Sequence, residues 1–205
     1  MGDTGSSGIA QSTRERVISA ALSAFGRRGY EVTSLDAVAG ELGVRKQTIL
    51  YYFPSKEALL EAAVDRAALE LTSALSEAQP DPGPAWERVR GVVRAVFRLA
   101  ARRPELLGLV REVTRLGPPA TTRFATMLGP AIDRATGFLE QAMARGELRQ
   151  QDARLLLLMA YSSVVGVATE VEVLRALGVE PTARSMVRQR SALLGFLRSA
   201  LLPAA

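Results

Sequence analysis

The sequence predicts an all-α protein, with an N-terminal three-helix helix-turn-helix unit followed by a larger helical part and about nine helices in total. Three observations carry that expectation. Apolar residues recur at i, i+3, i+4 and i+7, as in Ile18, Ala21, Leu22 and Phe25, and alternation of strand length is hard to find. Residues that enter a helix at little cost (Ala, Leu, Arg and Glu) dominate the chain. Glycine and proline clusters fall mostly between the periodic segments.

Each element follows from local signals. Ser12 and Glu15 fit a capping box opening the first helix, and Gly29 suits the position past its end. Thr33 followed by Asp36 opens a second helix, striped with Leu35, Val38, Ala39 and Leu42 and stopping at Gly43. A short third helix runs from about Arg45 to Tyr52, because Pro54 disfavours helix at the residue before it. Ser55 caps a long helix over about Lys56–Glu77, which at 1.5 Å per residue covers roughly 33 Å. The run Gln79-Pro80-Asp81-Pro82-Gly83-Pro84 reads as a loop. Helices follow over about Ala85–Arg103 and Pro104–Leu116, the second broken by Gly117-Pro118-Pro119. Thr121–Arg145 is helical, with a kink expected at Gly129-Pro130. Asp152–Leu177 and Pro181–Leu202 complete the chain, separated by Gly178-Val179-Glu180. Residues 1–11 read as a flexible arm, 12–58 as the small unit and 59–205 as the larger one.

Composition narrows the chemistry. The chain has 205 residues and is 48% hydrophobic, enough for a substantial core. It has no cysteine and no histidine, which removes disulfides, thiolate chemistry and a histidine base. No metal and no cofactor is expected. Carboxylates such as Glu112, Glu140, Glu170 and Glu172 alone do not assemble an active site, so the chain is expected not to be an enzyme. Lys+Arg exceed Asp+Glu by 26 to 21, a mild basic excess. The N-terminus lacks the basic and apolar regions of a signal peptide. The longest uncharged run, Leu155–Thr169, has 15 residues, short of the ~20 a membrane span needs. A cytoplasmic chain without membrane contact is expected.

The informative stretch lies between Leu35 and Lys56. Two short helices meeting at Gly43 need a small residue at their crossing, which Ala39 supplies. They need cheap positive φ four positions later, which Gly43 supplies, and a buried aliphatic six further on, which is Ile49. This is helix-turn-helix spacing. Arg45, Lys46, Gln47 and Thr48 then occupy the turn that approaches base edges in a major groove. Tyr51, Tyr52 and Lys56 suit phosphate contacts, and Thr33 and Ser34 suit a neighbouring phosphate.

With Ala20-Ala21, Phe25, Gly29-Tyr30, Thr33-Ser34-Leu35, Val38-Ala39, Leu42-Gly43-Val44 and Tyr51-Tyr52-Phe53-Pro54-Ser55-Lys56-Glu57-Ala58-Leu59-Leu60, the segment Thr13–Ala67 resembles the N-terminal domain of the tetracycline-repressor (TetR) family of bacterial transcriptional regulators. Leu50 stands where that family commonly carries an aromatic residue, and Tyr52 where it carries histidine. The resemblance implies a homodimeric repressor that binds a pseudo-palindromic double-stranded operator and releases it when a small molecule occupies the C-terminal part.

For that part the apolar stripes suggest residues. Phe97, Leu107, Arg111, Phe124, Met127, Phe138, Met159 and Tyr161 are candidates to line a pocket for a largely apolar effector. Leu156, Ala160, Val164, Val167 and Val171, with Val187, Leu194, Leu197 and Leu201, are candidates for the dimer interface, forming a four-helix bundle from two protomers. The alternative is a DNA-anchored adaptor whose helical part binds a protein. A cavity in that part would favour the small-molecule reading.

Overall fold

The computed structural model describes residues 12–78 and 83–203, so the arm at 1–11 and positions 79–82 of the expected loop lie outside the described residues. Among the described residues there are ten α-helices and no strand. They are α1 (Thr13–Arg28), α2 (Leu35–Leu42), α3 (Lys46–Tyr52), α4 (Lys56–Glu77), α5 (Ala85–Arg102), α6 (Pro104–Leu116), α7 (Ala120–Ala144), α8 (Ala153–Thr169), α9 (Val171–Ala176) and α10 (Ala183–Leu201). No described helix is long and apolar enough to cross a membrane.

Capping explains most boundaries. Ser12 Oγ accepts from Glu15 N–H, Ser55 Oγ from Ala58 N–H, and Asp152 Oδ1 from the N–H groups of Arg154 and Leu155. Thr182 and Ser185 cap each other reciprocally at the start of α10. Two expectations are corrected. The cap of α2 is Ser34, whose Oγ accepts from Ala37 N–H, and not Thr33. The segment Asp152–Leu177 divides into α8 and α9 at Glu170, whose backbone (φ −83°, ψ 65°) leaves the helix while its carboxylate meets Arg111 of α6 at 3.2 Å. This division gives ten helices where nine were expected, and the apolar periodicity on either side gives no sign of it. α7 is one helix of 25 residues with Pro130 inside it, as the sequence predicts.

One cluster of buried side chains runs from Val17 on α1 to Leu201 on α10. α1 is its centre. Its buried Val17, Ile18, Ala21, Leu22, Ala24 and Phe25 place it against α6, α4 and α2. α6 is buried at Leu106, Leu107, Leu109, Val110 and Val113, while Arg111, Thr114 and Arg115 on its other face are exposed. Each such side chain contributes about 1.5–3 kcal/mol by leaving water. α5, α8 and α10 pack together on the far side, and α4 bridges α1 and α7.

Candidate nucleic-acid interface

The turn between α2 and α3 is made by one residue without a side chain. Gly43 sits at φ 66°, ψ 29°, and nothing lies within 4 Å of where a Cβ would be. Conformation rather than space therefore selects glycine here. Val44 N–H donates to Ala39 O at 3.0 Å and Gly43 N–H to Gly40 O at 3.2 Å, closing α2 as the chain reverses. Ala39 and Ile49 are buried, Ile49 completely (0% exposed), so α3 is locked onto α2.

With Ile49 inward, the rest of α3 faces out. Arg45, Gln47, Leu50, Tyr51 and Tyr52 are exposed, and Lys46 and Thr48 are half-buried. Tyr51 is 83% exposed, high for an aromatic side chain. Its ring meets Tyr52 edge to face at 5.0 Å. Lys46 Nζ is held by Asp36 Oδ2 at 2.9 Å, so contact with a base requires it to leave a surface ion pair worth no more than about 1 kcal/mol.

Lys56 is already oriented. Its Nζ donates to Glu31 O at 3.2 Å and lies 4.2 Å from the centre of the Tyr30 ring. Tyr30 Oη donates to Glu57 Oε1 at 3.0 Å. Burial, then the bond to Glu57, pushes the Tyr30 phenol up to about 12. The Glu57 carboxyl is held below its ordinary range by backbone N–H at the start of α4, then by Ser55 and Tyr30. Thr33 is a correction. It is 1% exposed and its Oγ1 donates to Gly29 O at 2.7 Å, so it closes the α1–α2 turn and offers nothing to a phosphate. The exposed Ser34 remains, since its capping oxygen accepts and keeps its proton to donate. Sequence reasoning missed Val32, 76% exposed beside the N-terminus of α2.

The helix-turn-helix head is joined to the body at several points. α1 and α6 cross backbone to backbone. A Cβ on Gly26 would come 1.9 Å from Glu105 O, and one on Gly108 would come 2.2 Å from Gly26 O. Tyr30 N–H donates to Glu112 Oε1 at 2.6 Å, and Arg115 holds the same carboxylate at 2.8 Å. Arg115 first, then Tyr30 N–H, keeps Glu112 below the usual carboxylate range. An alternating chain of charge runs from Glu15 to Arg66, Glu70, Arg103 and Glu105, linking α1, α4 and the α5–α6 turn. Arg123 of α7 grips Asp65 of α4 with two bonds of 2.6 Å. None of these contacts was foreseen, although glycine inside the apolar pattern of α1 and α6 is a sign of close approach.

A cleft of about 220 Å³ opens beside that crossing, lined by Gly26 and Arg27 of α1 and by Ala100, Pro104, Glu105, Leu107, Gly108, Arg111, Ala168 and Val171. Another, of about 350 Å³, lies at the α7–α8 turn and is lined mainly by polar residues such as Glu140, Gln150, Asp152 and Arg154. Of the candidate effector residues, Leu107 and Arg111 line the first cleft. Phe97 is core, Phe124 and Met127 are half-buried on α7, and Phe138 is covered by the Arg88 guanidinium at 4.0 Å. Met159 and Tyr161 are corrections: they are 60% and 42% exposed and point away from the core.

Four of the candidate dimer residues are corrected in the same way. Leu156, Val164, Leu197 and Leu201 are buried in this protomer's own core, and Ala160, Val167, Val171 and Leu194 are half-buried, leaving Val187 exposed. The apolar residues that α8 and α10 turn to solvent are Leu155, Leu158, Met159, Val187 and Phe196.

The comparisons agree with this geometry. The family described as bacterial regulatory proteins, tetR family, matches residues 17–63. The HTH-type transcriptional regulator RutR of Escherichia coli (strain K12) is 28% identical over 151 residues, 73% of this chain and 71% of that protein. The HTH-type transcriptional repressor KstR of Mycolicibacterium smegmatis is 31% identical over 134 residues, 65% of this chain and 64% of that protein. The transcriptional regulator FadR from Bacillus subtilis, solved in complex with stearoyl-CoA, superposes with a TM-score of 0.74 at 20% identity, covering 90% of this chain and 97% of that one. The turn at Gly43 and the outward face of α3 thus have one common explanation: residues 17–63 form a helix-turn-helix unit that matches the tetR family of bacterial regulatory proteins.

Proposed function

We propose that the chain is a ligand-responsive repressor that acts as a homodimer, holding an operator when empty and releasing it when a small molecule binds the helical body. The observation that carries the DNA-binding half is the left-handed Gly43 turn, which sets Arg45, Lys46, Gln47 and Thr48 on the solvent side of a helix anchored by Ile49. One such helix reads only a few base pairs. Two copies related by a two-fold axis place recognition helices in successive major grooves, about 34 Å apart.

Supporting the dimer is the apolar face of Leu155, Leu158 and Met159 on α8, at i, i+3 and i+4, beside Val187 and Phe196 on α10. Supporting the switch are the links of α6 and α4 to the head through Gly26, Tyr30 and Glu15. A relative named as a repressor and a neighbour solved with stearoyl-CoA fit a ligand-responsive repressor. The cleft at the head–body junction favours a small molecule over a protein-binding adaptor. An effector that favours a displaced head lowers operator affinity about 5- to 150-fold, for a coupling of roughly 1–3 kcal/mol. Footprinting the purified protein on DNA upstream of its own gene tests this. Two protected half-sites one duplex turn apart are expected, and no preference over random competitor DNA refutes it.

A further inference from the structure

The junction cleft has a chemistry of its own, and we infer that it is the effector site and that its ligand is a small organic carboxylate with a short apolar body. This rests on the repressor reading above. Size comes first. At about 220 Å³ the cleft is smaller than the roughly 300–1,000 Å³ of pockets for drug-sized ligands. Ala100, Leu107, Ala168 and Val171 give it apolar walls.

Charge comes next. Two guanidiniums, Arg27 and Arg111, line the cleft with a single carboxylate, Glu105, which Arg103 holds at 2.6 Å. Arg27 donates to Ser23 Oγ and has no carboxylate partner among the described residues. Arg111 already holds a carboxylate, that of Glu170, and both side chains are reachable from solvent, at 48% and 41% exposed. A pair so exposed is exchanged at little cost. A ligand carboxylate therefore takes the place of Glu170 on Arg111, and guanidinium suits it because the two planar groups meet in two parallel hydrogen bonds.

Position makes occupancy felt by DNA. Gly26 and Arg27 belong to the head, and the other lining residues to the body. The two helices already touch through their backbones beside the cleft. A ligand that needs more room than the cleft offers binds best when α1 has moved from α6, and that differential affinity shifts the head. It also frees Glu170, the residue dividing α8 from α9.

Calorimetric titration of the full chain with benzoate and with isovalerate, alone and with operator DNA, tests this. Saturable binding of one carboxylate per protomer is expected. Arg111→Gln weakens it by at least about tenfold, as loss of a charged hydrogen-bond partner predicts. Glu170→Gln strengthens it by removing the competitor, and Arg94→Gln, on the exposed face of α5, leaves it unchanged. The carboxylate lowers operator affinity by the factor by which operator lowers carboxylate affinity. The site is overturned if neither carboxylate saturates the wild type or Glu170→Gln, or if Arg111→Gln binds as well as wild type. Binding with unchanged operator affinity overturns the effector role. A chain that binds benzoate and no operator overturns the repressor reading and keeps the carboxylate site.

Discussion

Replacing Gly26 by alanine sets two effects of opposite sign against each other. The position is interior to α1, where alanine is favoured over glycine by about 0.8–1.0 kcal/mol. Against that, the new Cβ would lie 1.9 Å from Glu105 O, 2.8 Å from its carbonyl carbon and 3.1 Å from its Cα. Ordinary contact begins at 3.4 Å, so α1 and α6 must separate by about 1.5 Å, since backbone cannot rotate aside as a side chain can. Overpacking of this kind costs about 1–3 kcal/mol. The net expectation is a loss of up to about 2 kcal/mol, read as a lower urea midpoint followed by far-UV circular dichroism. Gly108→Ala meets Gly26 O at 2.2 Å and behaves alike. The double variant costs less than the sum, because one displacement relieves both clashes. Gly40→Ala, with nothing within 4 Å, gains about 0.5–1 kcal/mol and serves as control. If Gly26→Ala proves at least as stable as wild type while Gly40→Ala behaves as stated, the close crossing is wrong.

Other perturbations follow from the same contacts. Ile49→Ala empties a fully buried site and is expected to cost about 2–5 kcal/mol, against about 0.5–1.5 for Ile49→Val, with operator protection lost in proportion to unfolded head in a thermal melt. Lys56→Gln is expected to weaken specific and random DNA alike and to reduce the salt slope of binding by about one, whereas Gln47→Ala alters base preference at one position of a selected operator pool. Glu112 has a lowered folded pKa, so its stabilising contribution is present above the ordinary glutamate value of about 4.3 and is lost as pH falls through the folded value. Denaturation midpoints between about pH 5 and pH 3 should therefore fall more steeply for wild type than for Glu112→Gln. Leu158→Glu or Phe196→Glu is expected to weaken self-association by at least about 2 kcal/mol, roughly thirtyfold, in sedimentation equilibrium.

What could be read from the chain alone was whatever local rules dictate. The Ala39–Gly43–Ile49 spacing specifies the turn because only backbone conformation and near neighbours are involved. Serine caps and Pro104 marked helix starts to within a residue or so for the same reason. The fold class and the outward face of α3 followed from periodicity.

Tertiary structure decided which side of each stripe faces what. An apolar repeat on α8 or α10 says that a face is buried, but not whether the burying surface is this chain or a second copy. Leu156 and Leu197 went inward and Leu158 and Phe196 outward for that reason. Thr33 became a buried turn-closing hydroxyl because Gly29 O stands over it, a contact that depends on how the chain folds back after α1. The cleft between Arg27 and Arg111 exists only because residues 84 positions apart are brought together where two glycines let helices touch, and long-range apposition leaves no periodic trace in sequence.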